Sequence, residues 1–543
     1  MAIRKLHQVY LLTLVVAFGA LAARAQSFQI QCPASTITHP TAANNNAEPA
    51  YVGATYTGTT GYGTQPAHVN GAIKCQQISG GDGFATMGDG TQTYLFAFGP
   101  LSGLADIANG LPGTGFPKDF NSLPPGTLMP GDPATANGLT ANTWPSYPLP
   151  TGAFGWNGAV GLAPDTDCLA DPVCAATIPA NGLDGHVDPR SVMDVGVMNG
   201  NMPAPLMAID EDDEFFLTLT NVGQVMRPDL FEQHTVHFHG YPNASAFYDG
   251  VPDASVAINI GGSFTYYYLA PDAGTYFWHC HITPPEHLQM GMVGQIYVRP
   301  RQNRWSGALY SGLQAQQNDL RTKCDRASDI LCSNPLPAVP AAGPDASNDG
   351  TKKYAYNDGD GSTRYDVEYP LQIHGFDPNF HFVGMTFNPE GFTDMKDKYF
   401  LLNGRSYPDT VTPGPLMTQT TDGLVHFSQP LSSIVNIPAG GKALLRIADL
   451  DVTEYQTLAS LGIPMHVVGY NAKLLRDQAG NNLDYYTNSI TLAGGESLDV
   501  ILDASDTTKY PSGSTFYLYT PNLDHLSNDA ENFGGLMTEV HIN

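Results

Sequence analysis

Two short segments of this sequence concentrate side chains that bind metals. Residues 234–240 read HTVHFHG, and residues 279–292 read HCHITPPEHLQMGM. Together they contain six of the 16 histidines and one of the 7 cysteines of the chain. The candidate ligands are His234, His237, His239, His279, Cys280, His281, His287 and Met292. This density favours metal binding over separate structural roles for the histidines.

Side-chain alternation in a β-strand divides these ligands into two groups. If HTVHFHG and GTYFWHCHI are strands, successive side chains point to opposite faces. The first group combines one face with the loop that follows the second strand, and consists of His234, Cys280, His287 and Met292. The second group lies on the other face and consists of His237, His239, His279 and His281. The pattern therefore predicts two neighbouring metal sites.

The donor atoms indicate which metal each group would hold. Two imidazoles, one thiolate and one thioether are the ligand set of a blue copper electron-transfer site. A tetrahedral zinc site is the alternative for cysteine and histidine, but the methionine and the order of the ligands argue against it. The all-imidazole group suits copper, zinc or iron. Since Cys280 stands between His279 and His281, we expect these three residues to relay electrons between the sites.

The two segments resemble the paired copper motifs of the multicopper oxidase family, which is built from cupredoxin domains. The segments DGVPDASVAINIGGSFTYYY and GTYFWHCH extend the likeness, and YFLLNGRSYPDT (399–410) resembles the opening of another domain of that family. The likeness is strong over residues 200–300, weak over 364–543 and absent from 27–200. The insertion TPPE makes the Cys280–His287 spacing longer by two residues than is usual in the family.

The resemblance implies a role for each group. The first group matches the ligands of a type 1 copper, and the second matches half of the histidines of a trinuclear copper cluster, where oxygen is reduced. The other half is missing, because the chain has no further His-x-His. In a second, diverged copy of the motif the His-Cys-His positions align with Leu518, Tyr519 and Thr520, and His466 alone survives from the other motif. Isolated histidines that could complete a second copper site are His68, His186, His374, His381 and His525.

Three functions are compatible with these observations. The leading hypothesis is an exported copper-dependent oxidoreductase, in which a small-molecule or protein donor reduces the type 1 copper and electrons pass to a second, histidine-ligated copper, with oxygen as the candidate acceptor. The first alternative is a blue-copper electron-transfer protein without oxidase activity, which the missing histidines support. The second alternative is a copper-binding or structural surface protein on a cupredoxin scaffold. A homo-oligomer is compatible with each of them.

The amino terminus and the charge of the chain indicate where it works. Arg4 and Lys5 precede an apolar run, and the Ala-Arg-Ala sequence at 23–25 is a cleavage pattern, so residues 1–25 are expected to be a signal peptide. The run is short for a membrane span. We therefore expect a secreted, periplasmic or extracellular protein with no membrane span. The net charge of −27 disfavours nucleic acid as a partner.

The cysteines divide into three pairs and one remainder. Disulfides persist in exported proteins, and the expected pairs are Cys32–Cys75, Cys168–Cys174 and Cys324–Cys332. Cys280 is left over between two histidines. A metal is the usual partner of such a thiol.

The metal-binding segments must be positioned by strands. With 57 glycines, 42 prolines and 14% charged residues, the composition is typical of an all-β protein with many turns. Together with the resemblance, it predicts tandem cupredoxin-like Greek-key β-sandwiches with a loop-rich N-terminal extension. After the signal peptide we expect a loop-rich region leading into the first domain, the copper-binding core of that domain, a Pro/Ala/Gly-rich connector, and a second domain that has largely lost its copper ligands. The corresponding ranges are 26–200, 201–300, 301–362 and 363–543.

An internal repeat relates the two strand-rich regions. EFFLTLTNVG aligns with ALLRIADLD, HTVHFHGYPNA with IPMHVVGYNAK, and GTYFWHCH with GSTFYLYT. We therefore expect the two domains to share one order of strands.

Overall fold

The structure of the protein is a computed structural model. It describes residues 31–55, 68–121 and 200–543, apart from 104–105, 108, 225–226, 228–229, 231, 241–244, 271, 318–333, 385–390, 420–424, 530 and 533. The expected signal peptide and His186 lie outside the described residues, as do Cys168, Cys174, Cys324 and Cys332. Within the described part of the chain, no helix is both long enough and apolar enough to span a membrane.

The first sandwich is built from eight strands in two sheets. The strands are β1 (Ile73–Thr86), β2 (Gln92–Pro100), β3 (Met207–Asp210), β4 (Glu214–Gly223), β5 (His237–Phe238), β6 (Ser263–Leu269), β7 (Gly274–His279) and β8 (Val293–Arg299). One sheet has the order β2-β1-β4-β6 and the other β3-β8-β7-β5. Large apolar side chains from both sheets fill the space between them, among them Phe98, Leu217, Tyr266, Trp278 and Ile296.

Short elements lie between the two sandwiches and in the loops of each. The strands are β9 (Gly307–Ala308), β10 (Ser347–Asn348), β11 (Lys353–Tyr354) and β12 (Arg364–Tyr365). The described α-helices are α1 (Pro117–Phe120), α2 (Pro284–Gln289), α3 (Leu309–Gln316) and α4 (Pro378–Gly384). Single 3-10 turns occur at Ala42–Asn46, Ala246–Tyr248, Arg301–Arg304, Pro344–Ala346, Phe392–Asp394, Asp409–Val411 and Asp524–Leu526.

The second sandwich contains the remaining strands. They are β13 (Val367–Phe376), β14 (Tyr399–Leu402), β15 (Leu416–Gln419), β16 (Val425–Ser428), β17 (Val435–Ile437), β18 (Lys442–Asp449), β19 (Gln456–Leu461), β20 (Met465–Tyr470), β21 (Lys473–Leu474), β22 (Tyr485–Thr487), β23 (Ser489–Leu492), β24 (Ser497–Asp503), β25 (Thr515–Tyr519), β26 (Ser527–Asn528), β27 (Glu531–Asn532) and β28 (Met537–Ile542). One sheet has the order β14-β13-β18-β24-β20-β21, with β22 also paired to β20, and the other β17-β28-β25-β19-β23.

The sequence explains these strands through the alternation of apolar side chains. In β28, Thr538, Val540 and Ile542 are buried while the residues between them are partly exposed. The same alternation places Ile490 and Leu492 of β23 in the core of the second sandwich. Such a pattern is expected for strands with one face on a core. The predicted all-β fold class is confirmed, since the helices in the described part of the chain are all short.

The two sandwiches repeat one order of strands, with two departures from the predicted alignment. In equivalent sheet positions β13 matches β1, β18 matches β4, β28 matches β8 and β25 matches β7. The counterpart of β5 is β19, because each pairs with the equivalent strand β7 or β25. The predicted match of HTVHFHGYPNA with IPMHVVGYNAK is therefore wrong. His466 of that segment lies in β20, which belongs to the other sheet.

The predicted match of GTYFWHCH with GSTFYLYT is also shifted by one residue. His237 pairs with His279 in the first sandwich, as Ala459 pairs with Tyr519 in the second. The positions of His279, Cys280 and His281 thus fall on Tyr519, Thr520 and Pro521, not on Leu518, Tyr519 and Thr520. The reason is packing: Leu518 is wholly buried in the second core, where it occupies the position of Trp278 in the first.

Buried polar contacts join the two sandwiches. Thr275 Oγ1 of β7 donates to Asp499 Oδ1 of β24 at 2.6 Å, and Ser497 Oγ donates to the Thr275 carbonyl at 2.6 Å. An ion triad crosses the interface and consists of Arg299, Glu368 and Arg446. In this interdomain ion triad, burial would raise the pKa of Glu368, but the two arginines lower it to about 2. β7, the strand that ends at His279, is thereby fixed against the second domain.

A disulfide fixes the N-terminal segment to the first sandwich. Cys32 and Cys75 are bonded, and Cys75 lies in β1. Cys280 is a free, buried thiol. The bond closes a loop of 43 residues, and so it limits the conformational freedom of the unfolded chain.

Candidate metal centre

The first group of donors meets inside the first sandwich. Cys280 follows β7, His287 lies in α2, and His234 precedes β5 in a bridge to Ile258. His287 Nδ1 is 3.3 Å from Cys280 Sγ, and one donor atom from each of the three residues lies within 4.8 Å of the others. The inserted TPPE forms the start of α2. The additional residues between Cys280 and His287 thus form a helical turn, which places His287 beside Cys280.

Met292 lies beside His234, at a point where the backbone of β1 comes close to both side chains. It is wholly buried in the same core as Cys280. A Cβ placed on Gly80 of β1 would lie 2.6 Å from His234 Cδ2 and 3.2 Å from Met292 Cε. Both side chains therefore border the same small space. A glycine is required there, because any larger residue would enter it.

The unsatisfied polar atoms of the first group fit a metal. His234 is wholly buried, and neither of its ring nitrogens has a hydrogen-bond partner. Burial lowers the pKa of His234 well below its ordinary value, so the ring is neutral. An unpaired buried imidazole is costly in a folded protein. Coordination of a metal by the neutral nitrogen would remove that cost, and the mixed nitrogen and sulfur donors suit copper.

An acidic side chain stands behind His287. Glu232 Oε2 is 3.6 Å from His287 Nε2, the nitrogen that does not face Cys280. The neighbouring imidazole of His287 lowers the pKa of Glu232. Burial alone would lower the pKa of His287, but the negative charges of Cys280 and Glu232 raise it to about 9. Glu232 was not predicted from the sequence, although its position two residues before His234 places it at the edge of the same segment.

The second group gathers on the opposite face of β7. His239 Nε2 is 2.9 Å from His279 Nε2, and the ring centre of His281 is 5.1 Å from that of His237. Backbone carbonyls accept the Nδ1 hydrogens of two rings, from His237 to Asp249 at 2.7 Å and from His279 to Cys280 at 2.6 Å. Such bonds fix the tautomer and leave Nε2 as the ligand atom.

The surroundings of His239 and His279 favour the neutral form of both rings. Burial and the neighbouring rings of His237 and His281 lower the pKa of His239 to about 4. Burial and the neighbouring ring of His239 hold the pKa of His279 well below its ordinary value. These two rings are therefore unprotonated at neutral pH, which is the form that binds a metal. An all-imidazole site of this kind suits copper.

A cavity opens beside the second group, between the two sandwiches. This interdomain cavity has a volume of about 340 Å³. It is lined by His237, His239, Gly240, Thr275, Tyr276, Phe277, Asn471, Gly495 and Ser497. The first domain thus supplies the histidines, and the second domain supplies the wall that faces them.

The isolated histidines do not join the second group among the described residues. His374 and His381 lie beside α2, where they contact the carbonyls of Leu288 and Gln289. His68 contacts the carbonyl of Gly53. His466 pairs with Asp484 and stacks on Tyr486.

His525 instead lies at the position in the second domain that corresponds to His287 in the first. Leu536 N bonds to the His525 carbonyl at 2.9 Å, as Met292 N bonds to the His287 carbonyl at 2.8 Å. By strand register Gln456 occupies the position of His234, and Thr520 that of Cys280. His525 Nδ1 contacts Gln456 Oε1 at 2.9 Å, and His525 Nε2 lies 3.2 Å from Glu454, the counterpart of Glu232. The residues of the second domain that correspond to His234, Cys280, His287 and Met292 are therefore, in that order, Gln456, Thr520, His525 and Leu536.

Comparisons with known proteins match the part of the chain that holds both groups. A family profile described as "Multicopper oxidase" matches residues 184–303. "Laccase abr2" of Aspergillus fumigatus is 34% identical over 109 residues, covering 20% of this chain and 17% of that protein. The "Copper-containing nitrite reductase" of Rhizobium meliloti is 34% identical over 114 residues, covering 20% of this chain and 27% of that protein. The chain thus spans less than a third of the length of these relatives.

A solved structure is similar over a longer part of the chain. It is described as "Blue Copper Oxidase from Nitrosomonas europaea". It is 21% identical and has a TM-score of 0.41, with 63% of this chain and 78% of that chain covered.

Proposed function

Since residues 184–303 match the multicopper oxidase family profile, we propose that this protein is an exported copper-dependent oxidoreductase with two metal sites in its first sandwich. The observation that carries the proposal is the division of three consecutive residues between the sites. Cys280 lies with His234 and His287, whereas His279 lies with His237 and His239. The ring of His281 lies 5.4 Å from that of His279, centre to centre. One strand end therefore connects both groups.

The chain provides a fixed path between the two sites. Copper held by these residues would supply one-electron redox chemistry, which amino-acid side chains alone do not provide. The bonds from Cys280 Sγ through its backbone lead to His279 and His281 without a gap. Thr235 holds both sides of this path, because its N–H donates to Cys280 Sγ at 3.4 Å and its Oγ1 accepts from His281 N at 2.9 Å.

Electrons would enter beside Glu232. His287 is wholly buried, while the side chain of Glu232 is 29% exposed and contacts the outer nitrogen of His287. A small-molecule or protein donor would therefore contact Glu232 and the surface around it. This carboxylate orients the imidazole ring through the same contact.

The acceptor would bind in the interdomain cavity. A volume of about 340 Å³ admits a small molecule such as oxygen alongside His237 and His239. We propose oxygen as the acceptor, since the second group has the composition of half of a trinuclear cluster. A homo-oligomer is one arrangement that would bring further histidines to this cavity.

A blue-copper electron-transfer protein without oxidase activity is the second candidate. The observation in its favour is that the second domain, in its described residues, contributes no histidine to the second group. In that function the first group would carry electrons, and the second group would be structural.

The decisive experiment removes the second group alone. A protein with His237→Ala and His239→Ala is expected to keep the blue colour and to lose oxygen uptake with a chemical reductant. The control carries His466→Ala and His541→Ala, two histidines paired with carboxylates in the second domain. Unchanged oxygen uptake in the first variant would contradict the proposal. Replacement of Cys280 by serine tests the first group, and should abolish both colour and uptake because a hydroxyl does not replace the thiolate.

A further inference from the structure

The second domain contacts the histidine group directly through one glycine. Gly495 lies in the loop between β23 and β24, directly against the ring of His239. A Cβ at this position would lie 2.9 Å from both Nδ1 and Cε1 of His239. Gly495 also has a φ of +90°, a conformation that residues with a side chain rarely adopt. Two independent constraints therefore require glycine here.

This contact completes a pattern within the second group. The rings of His237 and His279 are held by backbone carbonyls of their own domain, at Asp249 and Cys280. The Nδ1 side of His239 instead faces Gly495 of the other domain. On its other side, His239 Nε2 lies 2.9 Å from His279 Nε2. Partners of this kind orient a ligand and tune its basicity.

The loop that carries Gly495 is held rigidly at both ends. Gly495 N donates to the Asp449 carbonyl at 2.9 Å, and Ala493 N donates to Glu496 Oε2 at 2.8 Å. On the far side, Ser497 Oγ bonds to the Thr275 carbonyl of β7, the strand that ends at His279. The loop is thus attached to the element that positions the other histidines. Its contact with His239 is a fixed part of the interface.

The same loop forms one wall of the interdomain cavity. The second domain lines that cavity with Asn471, Gly495 and Ser497, none of which carries a charge. In a chain with a net charge of −27, this wall presents no carboxylate to the histidines. A small ligand that enters the cavity therefore contacts His239 and the loop together.

We propose that Gly495 is a positioning residue for the second site, through which the second domain sets the orientation of His239 and the shape of the cavity beside it. The inference rests on the proposed function in one respect, namely that the second group holds copper. It extends that function by assigning to the second domain, which has lost its own ligands, a part in the metal site of the first domain.

The test compares two glycines of equal backbone strain. Gly495→Ala introduces a methyl group against His239, whereas Gly513→Ala, in the same domain with a φ of +85°, meets nothing within 4 Å. Both copper-loaded variants and the wild type are measured by visible absorption, by paramagnetic resonance and by azide titration of the non-blue signal. We expect Gly495→Ala to weaken copper binding at the second site by about tenfold to a hundredfold, as loss of an outer partner does. Its non-blue spectrum should change and its blue band should not, while Gly513→Ala should match the wild type.

Three results would count against the inference. A non-blue spectrum, copper affinity and azide affinity that are the same in Gly495→Ala and the wild type would overturn it and leave the proposed function standing. Equal changes in both glycine variants would attribute the effect to backbone strain and would also overturn it. A wild-type protein without any non-blue copper signal would refute the proposed function, and the inference with it. If Gly495→Ala does not fold, Ser497→Ala loosens the same loop without a clash, and it should alter the non-blue spectrum alone.

Discussion

Replacement of Gly80 by alanine should disrupt the first site while leaving the fold intact. The new Cβ would lie 2.6 Å from His234 Cδ2, whereas ordinary van der Waals contact begins at 3.4 Å. The imidazole ring would therefore have to withdraw by about 0.8 Å. Metal–ligand distances tolerate only about 0.2 Å. A displacement of that size would remove His234 from a copper ion held by Cys280, His287 and Met292.

The expected magnitudes follow from this displacement. Overpacking of a buried position costs about 1–3 kcal/mol of folding free energy, which a domain of this size tolerates. Copper affinity should fall by at least about tenfold, the lower end for loss of a ligand-orienting contact. Because Met292 Cε would also lie 3.2 Å from the new methyl group, the Met292 side chain should shift as well. The blue band should then weaken and move.

The assay is copper titration of the metal-free protein, followed by the blue absorption and by thermal unfolding. Gly115→Ala is the matched control, since a Cβ there meets nothing within 4 Å and neither glycine has a positive φ. Gly80→Ala with the copper affinity and blue band of the wild type would refute the placement of His234 and Met292 around one metal.

Further predictions concern the interface and the second domain. Glu368→Gln removes the carboxylate of the interdomain ion triad and leaves Arg446 buried, so it should destabilise the protein by about 3–5 kcal/mol in chemical unfolding at pH 7. Because the folded-state pKa of Glu368 is lowered from 4.5 to about 2, its contribution is complete above the unfolded value and is lost as the pH falls from about 4.5 toward 2. The difference between wild type and Glu368→Gln should therefore shrink over that range, and a constant difference would contradict the assigned pKa. Combining Gln456→His, Thr520→Cys and Leu536→Met should restore a blue site in the second domain, doubling the blue absorption per chain. Unchanged absorption and copper content in a folded variant would show that the two domains do not correspond at these positions.

The division of the ligands into two groups could be predicted from the sequence because it depends on local geometry alone. A strand alternates its side chains with a period of two residues. Cys280 must therefore face away from His279 and His281, whatever the rest of the chain does. The all-β class followed equally from composition and strand patterns, as the resemblance to cupredoxin domains also implied.

The alignment of the second domain could not be settled in the same way. The segment around His466 resembles the histidine motif in letters, but β19 has the position of β5 and contains no histidine. The alignment of β25 differs from the predicted one by one residue, because the side chain that fills the core there is Leu518. Such a choice depends on contacts between strands that are distant in the sequence.

Residues from other parts of the chain that pack against the candidate ligands could not be identified from the sequence either. Gly80 and Gly495 resemble ordinary turn glycines in a chain that contains 57 of them. Their importance arises from backbone segments of β1 and of the second domain that approach His234 and His239. Only the assembled structure brings these segments together.

The most direct test of the two-site account is the copper content of the purified mature protein, measured with its visible and paramagnetic resonance spectra. The account predicts at least two coppers per chain, one with an intense blue band and one with a non-blue signal. A single blue copper would contradict the oxidase function and favour an electron carrier. A protein that takes up no copper and shows no colour would contradict the assignment of Cys280 as a ligand.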